Sequence, residues 1–395
     1  MLLSAAAAQV ATGYYRVKNL GSSRFVSIAN NKLDDTNQES LKGANGGTIY
    51  AMKTISESAA MTDPSTIIYI ENQGTSYVFS NQGMNTSDLL PTEVKLRVIS
   101  RDGYYQLAGS YSGAMQYLSD SYSMADNCGF TMIVGSSAAA ETHWDFLPLS
   151  ETNYLAVRPE LAVNGKYYTT LFTAFPYQVG TGMKAYFIKN TTGGVAGKTE
   201  QYAEMVEITD GKVAANTPVI LECASQEPGD NKLTPLALNS GVTAPMVNFL
   251  YGQYFSFVKM SMSGGENSNA LGQQLKNVVE YNANTMRVLG VKDGKLCFVK
   301  AADSQLYVTR NGKYLPANKA YIKFWDNQAR YLNETIGVVD TKDYQTLGIS
   351  SVENGENIRH TGIYSLSGVR VREDAQTDGL AKGIYIIDGK KTVIR

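Results

Sequence analysis

The sequence predicts an all-β protein, and three observations support that prediction. Short alternating runs rich in Tyr, Val, Ile and Phe, closed by Gly, Asn or Ser, recur along the chain, whereas helical periodicity is scarce. The composition includes 26 Tyr and 36 Gly with only 18% charged residues, which suits sheets with partly exposed aromatic faces. At roughly 150 residues per domain, a chain of 395 residues predicts two or three domains, each with its own core.

The first residues predict export. Residues 1–8 end in small side chains that satisfy the cleavage rule of a secretory signal peptide, with the cut near Ala8 and Gln9. The run is short and has no basic residue before it, which predicts a truncated signal peptide. No later stretch reaches the ~18 apolar residues of a membrane span. We therefore expect a secreted protein or one associated with the outer membrane at the cell surface, with no transmembrane segment.

Charge, histidine and cysteine counts exclude several classes of function. A formal net charge of -1 argues against a nucleic-acid partner, which normally meets a basic face. Only His143 and His360 are present, whereas a zinc hydrolase needs two or three His, and a Ser-His-Asp triad would have to use one of these two. Cys128, Cys223 and Cys297 show no CxxC spacing, which excludes a disulfide framework or a metal cluster. Pairing of Cys223 with Cys297 stays open beside the alternative of buried free thiols.

The first domain is expected over residues 13–150, where an imperfect repeat of strand, Gly/Ser turn and strand occurs three times. A tryptophan strand at residues 143–148 is expected to close its core. Three such units predict three-fold β closure, which removes exposed sheet edges. The repeat units cover residues 13–27, 67–80 and 103–119.

Residues 13–28 (GYYRVKNLGSSRFVSI) and 143–149 (HWDFLPL) resemble the opening and closing of a lobe in ricin-type β-trefoils. Many members of that family bind galactose-type sugars through a lobe Asp, a stacking aromatic and a later Asn or Gln. This chain has no Gln-x-Trp signature, and Ser27 and Ser80 stand where the resemblance implies an Asp. Only lobe three offers anything close to the pattern, with Asp120 and Tyr122 and with Asn127 nearby, so a carbohydrate-binding site implied by the resemblance would consist of these three residues.

The ligand implied by this resemblance is a glycan or a host or matrix polymer. Aromatic stacking with a few hydrogen bonds is the chemistry that sugar binding requires, and a neutral surface is compatible with it. The alternative is that the Tyr-rich domain is a packed scaffold that contacts other proteins, as in a structural or adhesin component.

The second domain is expected over residues 153–325 as a β-sandwich with an internal duplication. Residues 212–221 are echoed by residues 314–322, and in each copy Ala-Asn marks a turn into a buried strand. Asp210-Gly211 and Asp293-Gly294 are the turn residues expected of hairpins. Residues 167–188 resemble a β-sandwich module of surface and secreted proteins of Bacteroidota, which implies a location and no particular activity.

The end of the chain predicts a linker and a small β-sheet domain. Residues 326–360 are polar and are expected to form a semi-flexible connector. In residues 361–395, Gly362-Ile363-Tyr364 is echoed by Gly383-Ile384-Tyr385, and the whole segment resembles the C-terminal sorting domain of type IX secretion in Bacteroidota. That resemblance implies a type IX translocon as partner, with cleavage of the domain left open.

The search for catalytic motifs predicts no enzyme, no cofactor and no metal site. Gly197-Lys198-Thr199 has no Gly five positions earlier, so it is not a nucleotide-binding loop. Residues 34–39 carry oxygen-bearing side chains but lack the glycine and distal Glu of a calcium loop. A carboxylate-pair glycoside hydrolase is the least favoured hypothesis, since no motif pairs two of the 36 acidic residues. The sequence thus favours an exported, non-enzymatic binding protein.

Overall fold

Strands form most of the computed structural model, so the all-β prediction is confirmed. By its internal contacts the chain divides into two units, residues 1–341 and 342–395, each described by itself below. The structure describes residues 9–28, 52–80, 93–111, 114–120, 131–134, 138–253, 279–309, 312–353, 363–365, 370–372, 377–380, 382–387 and 390–394. The helices in these ranges are Glu57–Ala60, Asp326–Ala329 and Thr341–Glu353, with 3₁₀ turns at Pro64–Thr66, Ala140–Thr142, Pro228–Asp230 and Asp303–Gln305.

Ten strands form the N-terminal sheet. They are β1 (Gly13–Asn19), β2 (Phe25–Ile28), β3 (Met52–Ile55), β4 (Ile68–Asn72), β5 (Tyr77–Ser80), β6 (Glu93–Ser100), β7 (Tyr105–Tyr111), β8 (Ala114–Ser119), β9 (Thr131–Val134) and β10 (Trp144–Pro148). Six of them close into a ring, because β1 pairs with β4 and β10, and the series β4-β5-β6-β7 returns to β10. The strands β2-β3 and β8-β9 form two antiparallel pairs attached to this ring. Ring closure gives each of these six strands a neighbour on both sides within the ring.

The core of the ring is built around Trp144, which is fully buried. Its Nε1 donates to the Leu118 carbonyl at 3.0 Å, so the indole is both packed and hydrogen-bonded. Phe146 on the same strand packs against Tyr105 with ring centroids 5.0 Å apart. The tryptophan strand therefore closes the core, as expected.

The three repeat units are not equivalent in the ring. Units 13–27 and 103–119 each join a ring strand to a strand outside the ring. Unit 67–80 instead pairs two ring strands, β4 and β5. Sequence similarity between the units therefore reflects a shared strand-turn-strand chemistry and does not mark equivalent positions.

Sixteen further strands in the described ranges build the central part of the first unit. They are β11 (Leu155–Ala156), β12 (Leu161–Val163), β13 (Lys166–Leu171), β14 (Tyr177–Val179), β15 (Lys184–Thr191), β16 (Tyr202–Glu207), β17 (Lys212–Val213), β18 (Val219–Cys223), β19 (Lys232–Pro235), β20 (Leu250–Gln253), β21 (Met286–Lys292), β22 (Lys295–Val299), β23 (Tyr307–Thr309), β24 (Gly312–Tyr314), β25 (Lys319–Lys323) and β26 (Thr335–Val339). One sheet has the order β11-β19-β14-β17, a larger one has the order β12-β13-β18-β15-β16-β26-β22-β21-β25-β20, and β23 pairs with β24.

The larger sheet has a core on each face, because side chains alternate along its strands. Leu171 and Leu221 pack with Tyr177 and Leu233 of the smaller sheet, which gives the sandwich. Alternate residues such as Tyr168 and Ile220 pack with Phe298, Ile322 and other side chains from the second half of the same sheet. The sheet therefore curls over its own inner face, and the Ala320 amide donates to the Thr170 hydroxyl at 3.1 Å where its two ends approach.

The two Ala-Asn turns share one backbone conformation. Asn216 and Asn318 both have φ of 59°, a left-handed conformation that Asn tolerates better than most residues. Each is followed by a strand, β18 or β25, as the echo predicts. Asp293-Gly294 closes the β21-β22 hairpin with both φ values positive, as expected of Asp-Gly. Asp210-Gly211 also turns the chain, but the strands it joins pair with other partners.

The expected linker at 326–360 contains regular structure. Strand β26 lies inside the larger sheet, parallel to β16 and antiparallel to β22, and its Ile336 is fully buried. The first part of this segment is therefore core and not connector. The helix Thr341–Glu353 follows it.

The second unit contains a four-stranded sheet of β27 (Ile363–Ser365), β28 (Arg370–Arg372), β29 (Gly383–Ile387) and β30 (Lys390–Ile394), in the order β28-β27-β29-β30. Ile363 and Tyr364 of the first Gly-Ile-Tyr echo lie on β27, the second echo lies on β29, and these two strands pair directly with each other. This is the small C-terminal sheet that the sequence predicts.

Cys223 and Cys297 are buried free thiols, while Cys128 lies outside the described residues. Burial raises the pKa of the Cys223 thiol to about 12, so it stays protonated at neutral pH. Among the helices that the structure describes, none combines the length and apolar character needed to cross a membrane.

Candidate functional site

Of the three predicted sugar-binding residues, the structure describes Asp120, and Tyr122 and Asn127 lie outside the described residues. Asp120 is only 9% exposed. Its carboxylate accepts hydrogen bonds from the hydroxyls of Ser22 and of Thr54, the latter at 2.9 Å, and its amide donates to the Glu141 carbonyl at 3.0 Å. Asp120 thus joins three segments of the N-terminal ring. Its part in sugar binding stays a prediction.

The Asp120 contacts continue into a wider polar cluster. The Asn19 side chain accepts from the amides of Gly21 and Ser22 at 3.0 and 2.9 Å and donates to the Glu141 carbonyl at 2.7 Å. The Arg24 guanidinium donates to the Thr54 hydroxyl at 3.0 Å. Because these polar groups hydrogen-bond to one another, the cluster stabilises the contacts between the chain segments that carry them.

Two adjoining cavities lie in the first unit, of about 540 and 650 Å³. The first lies beside β13, β21, β25 and the 3₁₀ turn Asp303–Gln305. The second lies between residues 55–64 of the N-terminal part and strands β11, β13 and β25. They share one wall, and we call the two cavities with this wall the cleft. The wall is formed by Glu160, Thr169, Thr170, Ala317 and Lys319.

The shared wall carries a compact polar triad. The Lys319 ammonium lies 2.7 Å from a Glu160 carboxylate oxygen and donates to the Thr169 hydroxyl at 3.0 Å. That hydroxyl in turn donates to the other Glu160 oxygen at 3.1 Å. The side chains of Lys319 and Glu160 are 26% and 52% exposed, so both keep a face toward solvent and the cavities.

Local structure explains how these three side chains meet. Glu160 precedes β12, and its amide donates to the Tyr168 carbonyl at 2.9 Å. Thr169 lies on β13, and Lys319 is the first residue of β25, just after the left-handed Asn318. The Asn318 side chain donates to the Phe172 carbonyl at 2.9 Å, and the Phe172 amide donates back to the Asn318 carbonyl at 3.0 Å. This reciprocal pair fixes the start of β25 against the end of β13.

Beyond the shared wall, Gln305, Tyr307 and Tyr321 line the first cavity, and Asp63 and Arg158 line the second. The Gln305 side chain is oriented by donating to the Leu289 carbonyl at 3.0 Å and accepting from the Ala302 amide at 3.1 Å. Burial raises the pKa of Tyr321 to about 12, so its phenol is neutral at physiological pH. An ammonium and a carboxylate side by side supply donors and acceptors together. Such a surface suits a ligand with several hydroxyl groups.

Two carboxylates, Asp63 and Glu160, line the second cavity. Asp63 is 9% exposed and accepts from the amide and the hydroxyl of Ser65 at 2.9 and 2.6 Å. The Ser65 hydroxyl is also hydrogen-bonded to the hydroxyl of the fully buried Ser27 at 2.6 Å. Glu160 is held by Lys319 and Thr169. Each carboxylate is therefore engaged by neighbouring side chains.

Sequence reasoning did not find this cleft. Thr169 and Lys319 are separated by 150 residues, and no motif links them. The one available signal was the Ala-Asn echo, which located the turn before Lys319 but assigned no role to it. Within the described ranges, His, Cys, Asp and Glu side chains form no group able to hold a metal ion.

No protein-family model matches the chain, and no curated protein matches it. Among solved structures, the chain is similar to the Rhizoctonia solani agglutinin, with 12% identity and a TM-score of 0.25, over 36% of this chain and 99% of that one. It is also similar to a mosquitocidal holotoxin, with 9% identity and a TM-score of 0.24, over 80% of this chain and 35% of that one. At these TM-scores neither likeness carries an argument about function.

Proposed function

We propose that this chain is an exported, non-enzymatic binding protein of the cell surface, and that the cleft around Glu160 and Lys319 binds a glycan. The observation that carries the proposal is the triad of Glu160, Thr169 and Lys319, whose two charged side chains are partly exposed, on the wall shared by the two cavities. Vicinal sugar hydroxyls donate and accept at once, and the paired charges match both needs.

The hydrogen bonding of the acidic side chains in the cleft favours binding over hydrolysis. A glycosidase requires one carboxyl group to donate a proton and another to act as base or nucleophile. Here Glu160 is paired with a lysine, and Asp63 is buried against Ser65. Neither is presented to a ligand as an unengaged acid.

Export and attachment rest on the two ends of the sequence. The small-residue run before Gln9 and the Gly-Ile-Tyr echo of the second unit support passage through a type IX translocon. The paired strands β27 and β29 support a folded C-terminal sorting domain. In the same proposal, the exported protein is either released or attached to the cell surface after sorting.

A glycan array with the full chain from Gln9 tests the glycan proposal. Lys319→Met and Glu160→Gln should each weaken binding at least about tenfold, because a hydrogen bond to a charged group contributes about 1.5–3 kcal/mol. Lys184→Met is the matched control, since Lys184 forms an exposed ion pair with Glu207 at 3.0 Å outside the cleft lining. It should leave binding unchanged.

Three outcomes would contradict the assignment in different ways. Silence across the array would overturn the glycan proposal. Binding that survives both cleft variants but is lost in a folded Asp120→Ala variant would move the site to lobe three, with Tyr122 and Asn127. Release of reducing sugar that stops in the Glu160→Gln variant would replace binding by hydrolysis.

A second candidate function, adhesion to proteins, is favoured by one exposed segment. Residues 238–251 expose several large apolar side chains to solvent, an arrangement typical of contact surfaces. These are Leu238, Met246, Val247, Phe249 and Tyr251. A silent glycan array, with binding to immobilised matrix proteins that Met246→Asp abolishes, would favour adhesion.

A further inference from the structure

The two tryptophans of the chain lie in opposite environments. Trp144 is fully buried in the ring core, whereas Trp325 is 73% exposed. An indole left in water forgoes the stabilisation that burial would give it and leaves its aromatic face accessible to a ligand.

The backbone under Trp325 is fixed. Phe324, one residue before it, is buried and its amide donates to the Thr285 carbonyl at 2.8 Å. The Trp325 amide donates to the Gln328 side chain at 3.0 Å, at the start of the helix Asp326–Ala329. The loop at Gly193 packs directly on Phe324, the residue that precedes Trp325. A Cβ at Gly193 would lie only 2.5 Å from the Phe324 ring. The tryptophan is exposed on a rigid base.

A second aromatic side chain follows six residues later. Tyr331 is 38% exposed, and the Arg330 guanidinium lies 4.6 Å from the centre of its ring. The Tyr331 carbonyl accepts from the Gln201 side chain at 2.6 Å, and Gln201 also accepts from the Asn333 amide at 2.9 Å. The turn that carries these residues is thereby tied to the loop before β16.

The side chains next to Trp325 along the chain are polar. Asp326, Asn327, Arg330 and Glu334 are all exposed. A protein-contacting hot spot normally lies within an apolar patch. An exposed indole followed in the chain by amide and charged side chains matches the mixed surface of a sugar, which has an apolar C–H face and hydroxyls at its rim.

We propose that Trp325 is a stacking platform for a sugar ring, a second subsite beside the cleft, and that the ligand is a polysaccharide that engages both. This inference rests on the proposed glycan function. Lys319 opens β25 and Trp325 follows its end, so about 20 Å of extended chain separate the two subsites. A polymer bound at both gains avidity that a short sugar cannot have.

Tryptophan fluorescence tests the platform directly, because buried Trp144 is shielded from iodide and Trp325 is accessible to it. Laminarin, xylan, mannan and gastric mucin are titrated into the full chain. With a polysaccharide that binds, emission should shift to the blue and iodide quenching should fall. Trp325→Ala should weaken binding of that polymer about tenfold, and Trp325→Tyr should restore most of it. Val291→Ala, which truncates another exposed apolar side chain, is the control and should change nothing.

The outcomes separate the inference from the function on which it rests. If a polysaccharide binds and Lys319→Met weakens it, yet Trp325 stays open to iodide and Trp325→Ala binds equally well, the platform is wrong and the cleft stands. If none of the four polymers binds and the glycan array is also silent, both proposals fall.

Discussion

The segment from Glu57 to Thr66 separates two cationic side chains with opposite surroundings. On one side lies Arg16, fully buried, whose guanidinium donates to the Thr66 hydroxyl, the Asn153 side chain and the carbonyls of Ala60 and Met61 at 2.7–3.4 Å. On the other side, residues Ser58 to Pro64 line the second cavity of the cleft, across from Lys319. Arg16 is enclosed by protein groups, whereas Lys319 borders a cavity.

The difference shows how burial decides what a charge can do. Burial lowers the pKa of Arg16 to about 10 although the Asp63 charge acts in the opposite direction, so the guanidinium remains charged at neutral pH. Each of its three nitrogens donates to a protein acceptor. Lys319 has one carboxylate and one hydroxyl and keeps an exposed face. A satisfied buried cation is structural, whereas a half-exposed one can exchange a partner for a ligand.

Replacing Arg16 should have the largest effect. Arg16→Met leaves two carbonyls, the Asn153 side chain and the Asp63 charge without their cation, and breaking such a buried set costs about 3–5 kcal/mol. The free energy of unfolding is obtained from urea curves followed by near-UV circular dichroism. Arg16→Lys keeps the positive charge but not the planar guanidinium, so its free energy of unfolding should lie between those of the wild type and Arg16→Met. A loss under about 1 kcal/mol for Arg16→Met would erase the contrast with Lys319.

Glu222 is an intermediate case, because it is partly buried and fully hydrogen-bonded. Burial alone would raise its pKa, but hydrogen bonds from Lys166 at 2.9 Å, Tyr186 at 3.1 Å and Tyr168 at 3.2 Å outweigh it, and the pKa lies below the usual 4.5. A pKa lowered by folding stabilises the protein above the unfolded value. That stabilisation is lost as pH falls below about 4.5.

Glu222→Gln should therefore cost on the order of 1.5 kcal/mol at pH 7 and less at pH 3, because the stabilisation by ionised Glu222 declines as the pH falls below about 4.5. Urea midpoints of both proteins at the two pH values measure this. Glu207→Gln is the matched control, because its ion pair with Lys184 is exposed on both sides and should matter little at either pH. Equal losses for Glu222→Gln at pH 7 and pH 3 would mean that the ionised form has no special role.

The parts of the fold that local chemistry determines could be predicted from the sequence. Asp293-Gly294 closes a hairpin because both residues tolerate positive φ, and Asn216 and Asn318 turn the chain into buried strands for the same reason. Strand β26 was expected to be linker, because its flanks are polar. Its place in the sheet depends on parallel pairing with β16, more than a hundred residues earlier, which no local pattern records.

The candidate site depends even more on long-range contacts. Asp120 was chosen from a family pattern, and its partners Ser22 and Thr54 come from two other segments of the ring. Glu160, Thr169 and Lys319 carry no spacing signal, since they meet only when the larger sheet curls. The exposure of Trp325 could not be predicted either, because the sequence gives the residue type but not whether its side chain faces solvent or the core.

The smallest expected change in stability comes from two neutral residues, and it tests the contrast between a buried and an exposed side chain without any charge. Asn216 and Asn318 share φ of 59°, but Asn216 is exposed, whereas Asn318 is buried and donates to the Phe172 carbonyl at 2.9 Å. Glycine accepts this φ without strain, so Asn→Gly at either position chiefly removes the side chain. Asn216→Gly should change stability by a few tenths of a kcal/mol, and Asn318→Gly should cost about 1 kcal/mol. Urea midpoints of the two variants measure the difference. Equal values would show that the backbone conformation, and not the hydrogen bond, fixes the start of β25 on which Lys319 is held.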